Sequence, residues 1–331
     1  MDSGESRLTS ERKLLVGVDE AGYGPNLGPL VVAAVWLEVA SDTRSERLWE
    51  LLAPAVSRFP ASQSRALVLD DSKKVYASGN GLHLLERAAL TWLGLDCAPP
   101  LSLRELWKSN CLTPSQDIAE NQWSAERDIE LPTSLTRAEL ESSQQKLIDS
   151  FRHANFGRAG LACQIIMPPR FNRMLGRADS KGVVLFQTNA ELLRHVWQTS
   201  LASRIEVTLD KHGGRNFYRP LLQQEFHESL VLTAREGTAL SQYSLTTDGR
   251  SLQATFVPKA DSHHMLVATA SMVAKYIREL CMKLFNNFWS TKLPGLRPTA
   301  GYPVDAKRYW MEIGPVANQL GIPREHLWRE R

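Results

Sequence analysis

The chain has 331 residues, of which 43% are hydrophobic and 23% charged, a composition that excludes a disordered or low-complexity protein. A formal net charge of +3 and a pI near 8.6 permit a locally basic groove but do not by themselves indicate a nucleic-acid partner. The four cysteines lack zinc-site spacing, and the longest apolar run, near residues 30–40, is too short to span a bilayer. We therefore expect a globular, reduced, cytoplasmic protein of enzyme size, monomeric and without membrane contact.

The periodicity of apolar residues predicts an initial pair of strands followed by alternating helices and strands. Residues 14–18 and 30–37 are expected to be buried strands, and residues 82–93 a helix with one apolar face. Further strands are predicted at 161–167 and 205–209, and helices at 189–201, from just after Asp261 to about Trp289, and at 306–320. This order is typical of an α/β fold in which helices flank a mixed sheet.

The chain is expected to divide into a polar tail over residues 1–12, one α/β domain over 13–290 and a helical extension over 291–331. Residues 95–160 are polar and proline-rich, and helical periodicity returns only around 137–152, so we expect an insertion in the domain. The insertion either contacts a substrate or a partner or is a surface elaboration.

The most informative segment is residues 17–29, which read Gly-Val-Asp-Glu-Ala-Gly-Tyr-Gly-Pro-Asn-Leu-Gly-Pro. Asp19 and Glu20 lie where the first predicted strand enters a glycine-rich turn. The glycines allow backbone N–H groups to approach a phosphate or a sugar hydroxyl. The alternative is an ordinary hairpin with a solvated acidic pair.

This segment resembles the first motif of the type 2 ribonucleases H, the ribonuclease HII family. The family motif is Asp-Glu-Ala-Gly-Arg-Gly-Pro, two variable residues, then Gly-Pro, and residues 19–29 match it at equal spacing except that Tyr23 occupies the arginine position. In the family this arginine helps to recognise the ribonucleotide at an RNA-to-DNA junction. Type 3 relatives have other residues there and still cut hybrids. The resemblance therefore implies ribonuclease H activity, and Tyr23 leaves the action on single embedded ribonucleotides open.

A second motif, Asp71-Ser72-Lys73-Lys74, precedes the helix predicted at 82–93. It is similar to the Asp-Ser-Lys-Lys of ribonuclease HII, whose lysine lies near the nucleic-acid backbone, which implies substrate contacts for Ser72 and Lys73. The alternative is a helix-capping Asp or Ser followed by two solvated lysines.

Two further acidic residues resemble the remaining carboxylates of the family. Asp210 ends the strand predicted at 205–209, although the basic, glycine-containing turn at 211–215 departs from the family, and Arg215 either contacts a phosphate or faces water. Asp261 lies in Lys-Ala-Asp before a helix whose residues 269–275 resemble the family's Ala-Ala-Ser helix. An aspartate at a helix start would also serve as an N-cap.

The last motif, Gly301-Tyr302-Pro303, resembles the Gly-Tyr-Gly of the family, whose tyrosine contacts the substrate sugar. His263 and His264 are assigned neither to zinc nor to base catalysis, because adjacent histidines diverge and no further ligand has the spacing of a zinc site. The C-terminal arginines belong either to a solvated surface or to a nucleic-acid track; they are Arg308, Arg324 and Arg329.

Together these resemblances imply a ribonuclease H-like fold whose catalytic, metal-binding carboxylates are Asp19, Glu20, Asp210 and Asp261. Clustered carboxylates repel one another unless cations neutralise them, and oxygen ligands favour Mg²⁺ or Mn²⁺, here as a two-ion site. The residues expected to bind substrate are Gly22, Tyr23, Gly24, Ser72, Lys73 and Tyr302.

The predicted reaction is endonucleolytic hydrolysis of the RNA strand of RNA–DNA hybrids, leaving 5'-phosphate and 3'-hydroxyl ends. Two alternatives remain at this point. One is a metal-dependent DNA endonuclease or resolvase on the same fold, and the other is a hybrid-binding protein without catalysis.

Overall fold

A computed structural model describes residues 11–58, 66–96 and 98–330. The expected tail through residue 10 and Cys97 lie outside the described residues. The strands are β1 (Arg12–Ala21), β2 (Leu30–Ala40), β3 (Val56–Ser57), β4 (Leu67–Val68), β5 (Ala159–Ile166), β6 (Arg204–Asp210), β7 (Leu230–Arg235), β8 (Ser241–Thr247) and β9 (Arg250–Val257).

Helices account for most of the remaining regular structure. They are α1 (Leu48–Leu51), α2 (Ser72–Tyr76), α3 (Gly81–Leu93), α4 (Leu103–Asn110), α5 (Ser115–Ala119), α6 (Gln122–Ala125), α7 (Arg137–His153), α8 (Pro168–Leu175), α9 (Lys181–Thr199), α10 (Arg219–Glu225), α11 (Met265–Lys292) and α12 (Pro303–Gln319), with 3₁₀ turns at Ser45–Arg47, Ala260–Ser262 and Arg324–His326. None of the described helices is long and apolar enough to cross a membrane.

Seven strands form one mixed sheet in the order β5-β2-β1-β6-β9-β8-β7. β2 pairs antiparallel with both β1 and β5, whereas β6 is parallel to β1 and β9 is parallel to β6. Because β1, β6 and β9 run in the same direction, their carboxyl ends lie side by side along one edge of the sheet. The predicted fold class, a mixed sheet flanked by helices, is confirmed.

The two faces of the sheet bury different helices. Leu14, Val16 and Val18 of β1 pack in one core with residues of α9, while Leu15 packs with α11 in the other. α11 approaches β1 so closely that a Cβ on Gly17 would lie 2.2 Å from the carbonyl carbon of Leu266. A residue without a side chain is therefore required at the centre of the helix–sheet contact.

Residues 95–160, which were predicted to be an insertion, are more ordered than their composition suggests. They contain α4, α5 and α6 in addition to α7, which matches the helical periodicity predicted at 137–152. The buried Glu86 of α3 explains part of this order. Its carboxylate accepts hydrogen bonds from the backbone and hydroxyl groups of Thr133 and Ser134 and from the backbone of Leu135, while Tyr276 of α11 donates to it at 2.8 Å. One acidic side chain thus joins residues 133–135 to α3 and α11.

Several boundaries differ from the sequence predictions. β7, β8 and β9 were not predicted, and α9 begins eight residues earlier than expected, at Lys181. Pro168 and Pro169, which follow the strand predicted at 161–167, occupy the first turn of α8, where proline is tolerated. In the last part of the predicted helical extension, the described residues 324–330 contain a 3₁₀ turn at Arg324–His326 in place of an α-helix.

Candidate active site

Two of the predicted acidic residues lie at the carboxyl ends of neighbouring parallel strands. Val18 of β1 pairs with Leu209 of β6, so Asp19 and Asp210 occupy the next position along the two strands. Side chains alternate between the faces of a strand, and Val18 and Leu209 both pack in the core on the α9 side. Asp19 and Asp210 therefore share the opposite face, toward α11.

The other two acidic residues lie beside this pair. β9 pairs Val257 with Asp210, and the chain then enters the 3₁₀ turn that carries Asp261. The backbone N–H of Ala260 donates to Asp210 Oδ1 at 3.4 Å, which brings the turn against the end of β6. Glu20 directly follows Asp19 on β1. The three parallel strands thus direct all four carboxylates to one end of the sheet.

These carboxylates influence one another electrostatically. Burial, followed by the charge of Glu20, raises the pKa of Asp19 well above its ordinary value. Burial, followed by the charge of Asp210, raises the pKa of Glu20 to about 7. Burial, and then the charges of Asp71 and Asp210, raise the pKa of Asp261. Negative charge is therefore concentrated here beyond what the local protein groups neutralise.

The four carboxylates do not form a complete set of metal ligands in this structure. Across the described ranges, no group of three or more histidine, cysteine, aspartate or glutamate side chains is placed so that it could hold a metal ion. The carboxylates nevertheless influence one another through their charges.

Ser271 of α11 also lies at this site, although it was not among the residues predicted to form it. Its hydroxyl is hydrogen-bonded to the Asp19 carboxylate, which lowers the pKa of that group against the effect of burial, and it lies 2.9 Å from Ser72 Oγ. The signal was present in the sequence, because Ser271 belongs to the Ala-Ser pair of the matched helix motif. Ser72 therefore contacts the acidic site indirectly, through Ser271.

The Asp-Ser-Lys-Lys motif combines the two interpretations drawn from the sequence. Asp71 caps α2 by accepting a hydrogen bond from the backbone N–H of Lys73 at 2.8 Å. The Lys73 side chain is exposed, yet its charge lowers the pKa of both Glu20 and Asp261. Asp71 also joins the acidic group through its effect on Asp261, a role that the sequence analysis did not assign.

The glycine-rich loop at residues 22–28 lies beside the carboxylates. Gly22 has φ +90°, and a Cβ there would lie 2.3 Å from Arg278 Nε, so the position requires glycine. A Cβ on the exposed Gly24 would lie 3.8 Å from the ring of Tyr302, and the Tyr302 side chain is 54% exposed. The loop and Tyr302, both predicted to bind substrate, therefore lie next to each other.

The Tyr23 side chain extends towards α9 and the turn after β6. Its hydroxyl lies 3.8 Å from the Cβ positions that Gly182 and Gly213 would have, between the start of α9 and the turn after β6. Burial, followed by the charge of Glu20, raises the pKa of Tyr23. The residue that replaces the family arginine is thus a neutral hydroxyl at the border of the acidic site.

The basic turn after Asp210 is largely structural. Lys211 Nζ donates to Asn216 Oδ1 at 2.7 Å, and His212 is buried with its Nε2 2.6 Å from Asn189 Nδ2. Burial, followed by the charge of Arg215, lowers the pKa of His212 to about 3, so this imidazole is neutral near pH 7. Arg215 is half-exposed.

The two adjacent histidines have different surroundings. His263 is exposed, and His264 Nδ1 lies 3.4 Å from Ser45 Oγ.

The three C-terminal arginines also have different surroundings. Arg308 is paired with Asp305 and Glu312. Arg324 stacks on Trp328, with its guanidinium carbon 4.8 Å from the ring centroid, whereas Arg329 is completely buried. For Arg329, both alternatives drawn from the sequence, a solvated surface and a nucleic-acid track, are wrong.

The chain was compared with known proteins. No protein-family model and no curated protein matches it. Among solved structures, ribonuclease HII of Archaeoglobus fulgidus in its PCNA complex matches 96% of this chain and 94% of its own, at 15% identity and a TM-score of 0.42. Ribonuclease H2 of Pyrococcus horikoshii matches 95% and 92%, at 16% identity and a TM-score of 0.40.

Bst-RNase HIII, a ribonuclease HIII solved in complex with Mn²⁺, is also similar. The match covers 97% of this chain and 67% of that protein, at 14% identity and a TM-score of 0.44. These solved structures, to which the chain is similar over nearly its whole length, are ribonucleases of types 2 and 3.

Proposed function

We propose that the protein hydrolyses the RNA strand of RNA–DNA hybrids endonucleolytically, with Mg²⁺ or Mn²⁺, and leaves 5'-phosphate and 3'-hydroxyl ends. One observation carries the proposal: the carboxyl ends of β1, β6 and β9 gather Asp19, Glu20, Asp210 and the nearby Asp261 beside the loop at 22–28. The motif resemblance supplies the reaction, and the geometry supports a shared site for it.

The donor chemistry fits divalent ions. All four candidate ligands, Asp19, Glu20, Asp210 and Asp261, are carboxylates, and hard oxygen donors suit Mg²⁺ and Mn²⁺ better than zinc. Burial first, and then the charges of neighbouring carboxylates, raise the pKa values of Asp19, Glu20 and Asp261, and a bound cation would favour the ionised carboxylates against both effects. When bound, such ions supply activation of a water molecule and stabilisation of the leaving oxygen.

The chain's own residues contribute positioning. Ser271 fixes the Asp19 carboxylate through its hydroxyl, and the backbone of Ala260 contacts Asp210. Lys73, exposed beside the acids, is suited to a backbone phosphate of the substrate. Oriented carboxylates and one nearby cation would help to align a phosphodiester for in-line attack.

Recognition of RNA is assigned to the loop and Tyr302. The 2'-hydroxyl distinguishes RNA from DNA, and backbone N–H groups of a glycine-containing turn together with an exposed aromatic ring provide contacts for a ribose. Gly24 and Tyr302 are adjacent and exposed, which leaves room for a sugar against both. Tyr23 lacks the charge of the family arginine, so we propose efficient cutting of continuous hybrids and weaker action on single embedded ribonucleotides.

The test is a cleavage assay on a labelled RNA–DNA hybrid with either ion, followed by analysis of the product ends. The variants Asp19→Asn and Asp210→Asn should each lose activity by more than about a hundredfold. Asp248→Asn is the matched control, because this exposed aspartate lies in the turn between β8 and β9, before the first residue of β9. It should cut at the wild-type rate.

Two results would overturn the proposal. Rapid cutting of all-DNA duplexes with hybrids untouched would assign the site to a DNA endonuclease or resolvase. Tight binding of hybrid with no cleavage under either ion would assign the protein to binding alone. Equal, efficient cutting of a continuous hybrid and of a duplex with one ribonucleotide would remove the role given to Tyr23.

A further inference from the structure

Two guanidinium groups are buried behind the loop at 22–28. Arg278 of α11 is 2% exposed and Arg329, near the C-terminal end of the described chain, is 0% exposed. Arg329 also packs against Phe171 of α8, with its guanidinium carbon 5.1 Å from the ring centroid. Fully buried arginines are rare in proteins and are normally paired with acids.

Among the described residues, neither of these two arginines is paired with an acid. Within residues 11–58, 66–96 and 98–330, neither guanidinium has a carboxylate within ion-pairing distance, and Arg329 Nε and Nη1 and Arg278 Nε have no hydrogen-bond partner. Burial, followed by the charge of Arg278, lowers the pKa of Arg329 to about 9, so Arg329 still carries its charge at neutral pH. Such an arrangement costs stability, which points to a role other than packing.

The two guanidiniums donate hydrogen bonds to carbonyl groups of the loop at 22–28 and of the segment just before Gly301. Arg329 Nη2 donates to the carbonyl oxygens of Gly22 and Pro25, both at 2.5 Å. Arg278 Nη2 donates to the carbonyl oxygen of Ala300 at 3.0 Å, just before the Gly301-Tyr302 pair. The guanidiniums therefore hold the inner side of both segments assigned to ribose recognition.

The C-terminal segment reinforces this contact. Asn26 and Arg329 exchange hydrogen bonds, with Arg329 N donating to Asn26 O at 2.7 Å and Asn26 Nδ2 donating to Arg329 O at 2.9 Å. Leu27 forms an antiparallel bridge with Trp328. Asn26 N in turn donates to Gly301 O at 2.8 Å. The loop is thus enclosed between residues 328–329 and the start of the Tyr302 segment.

The inward carbonyl of Gly22 has a consequence for the outer side of the loop. In a trans peptide the C=O and the following N–H point in opposite directions. The cis bonds among the described residues precede Pro54 and Pro132, so the Gly22–Tyr23 peptide is trans. Because Arg329 holds the Gly22 carbonyl inward, the Tyr23 N–H is directed outward, away from the core.

We propose that Arg329 is a positioning residue that fixes the Gly22–Tyr23 peptide so that the loop offers its outward N–H to the ribose of the bound RNA strand. This inference rests on the proposed function, because it takes the RNA strand of a hybrid as the substrate. It assigns to residue 329 a role in substrate affinity that no local sequence motif reveals. Arg329 touches neither the substrate nor the acidic residues and acts only through the loop.

The experiment compares Arg329→Met, which keeps the length and apolar packing of the side chain, with Arg329→Lys, which keeps one charged donor. Arg324→Met is the matched control, because Arg324 belongs to the same segment but is exposed and stacks on Trp328. Three quantities are measured for each protein: the thermal midpoint, amide exchange of residues 22–28, and kcat and KM on a continuous hybrid.

Arg329→Met should raise KM by about tenfold while kcat falls by less than about threefold, because it removes the loop's support and leaves the carboxylates in place. Amide exchange of the loop should accelerate by about tenfold. Arg329→Lys should recover part of both effects, and Arg324→Met should match the wild type in all three quantities.

Wild-type KM and wild-type loop exchange in Arg329→Met would overturn the inference. A lower thermal midpoint and lower kcat without any change in KM or loop exchange would also overturn it, because Arg329 would then serve only the core. A wild-type protein that neither binds nor cuts hybrid would refute the proposed function. Loop exchange would in that case still decide whether Arg329 orders the loop.

Discussion

Tyr276 of α11 donates a hydrogen bond to the Glu86 carboxylate of α3 at 2.8 Å, in a position where neither side chain reaches solvent. The same carboxylate accepts bonds from residues 133–135 of the insertion. Burial by itself raises the pKa of Glu86, but the hydrogen bonds from Ser134, Thr133 and Tyr276 outweigh it and lower the pKa below the ordinary value of 4.5.

Glu86→Gln should therefore destabilise the protein by about 2–3 kcal/mol near pH 7, because an amide N–H₂ would face groups that are themselves donors. A carboxylate with a lowered pKa in the folded state stabilises that state above its unfolded pKa, and this contribution is lost as the pH falls through the folded pKa. The difference between wild type and variant should therefore shrink below about pH 4.5. Urea unfolding across this range of pH measures the difference in stability between wild type and variant. The exposed Glu141→Gln is the control. A difference independent of pH would contradict the assignment.

Gly17→Ala should destabilise the domain by roughly 2–4 kcal/mol, because its methyl group would overlap the backbone of Leu266 on α11. Gly176→Ala provides the comparison, since a Cβ there would make only ordinary contacts, at 3.5 Å from Asn172 O. Thermal unfolding of both variants tests the close approach of α11 to β1. Equal midpoints for the two would mean that the helix is not packed as described.

Ser271→Ala should raise the Mg²⁺ concentration needed for half-maximal cleavage by about tenfold, because the hydroxyl orients the Asp19 carboxylate. The measurement is a metal titration of hybrid cleavage, supported by calorimetric titration of the ion alone. Ser290→Ala, at an exposed position near the other end of α11, should behave as wild type. An unchanged metal requirement in Ser271→Ala would remove Ser271 from the site.

Tyr302→Ala should raise KM for hybrid by about tenfold and leave the thermal midpoint within a few degrees of wild type, since the ring is half-exposed and adjacent to Gly24. Val304→Ala is the control, because Val304 is 87% exposed in the first turn of α12. A wild-type KM for Tyr302→Ala would exclude the ring from substrate binding.

The sequence predicted the central elements because their signals are local. β1 and β2 are continuous apolar runs, and α11 places Val273, Ile277 and Leu280 on one face, all of which are buried. The positions of Asp19 and Asp210 at strand ends followed from the same patterns. Their role as a joint site remains a prediction.

The parts that were missed have weaker or non-local signals. In β8 the buried Tyr243 and Leu245 alternate with Gln242, Ser244 and Thr246, so the strand has too few apolar residues to stand out. Burial of Arg329 depends on the loop at 22–28 and on Phe171 of α8, distant along the chain, and no pattern around residue 329 distinguishes it from an exposed arginine.

The bond between Arg329 and Gly22 joins residues 307 positions apart. A contact between residues so far apart along the chain can form only once the strands and helices between them have folded, so the loop at 22–28 gains this support late in folding. The order of the loop is therefore a property of the folded domain as a whole and not of the loop's own sequence.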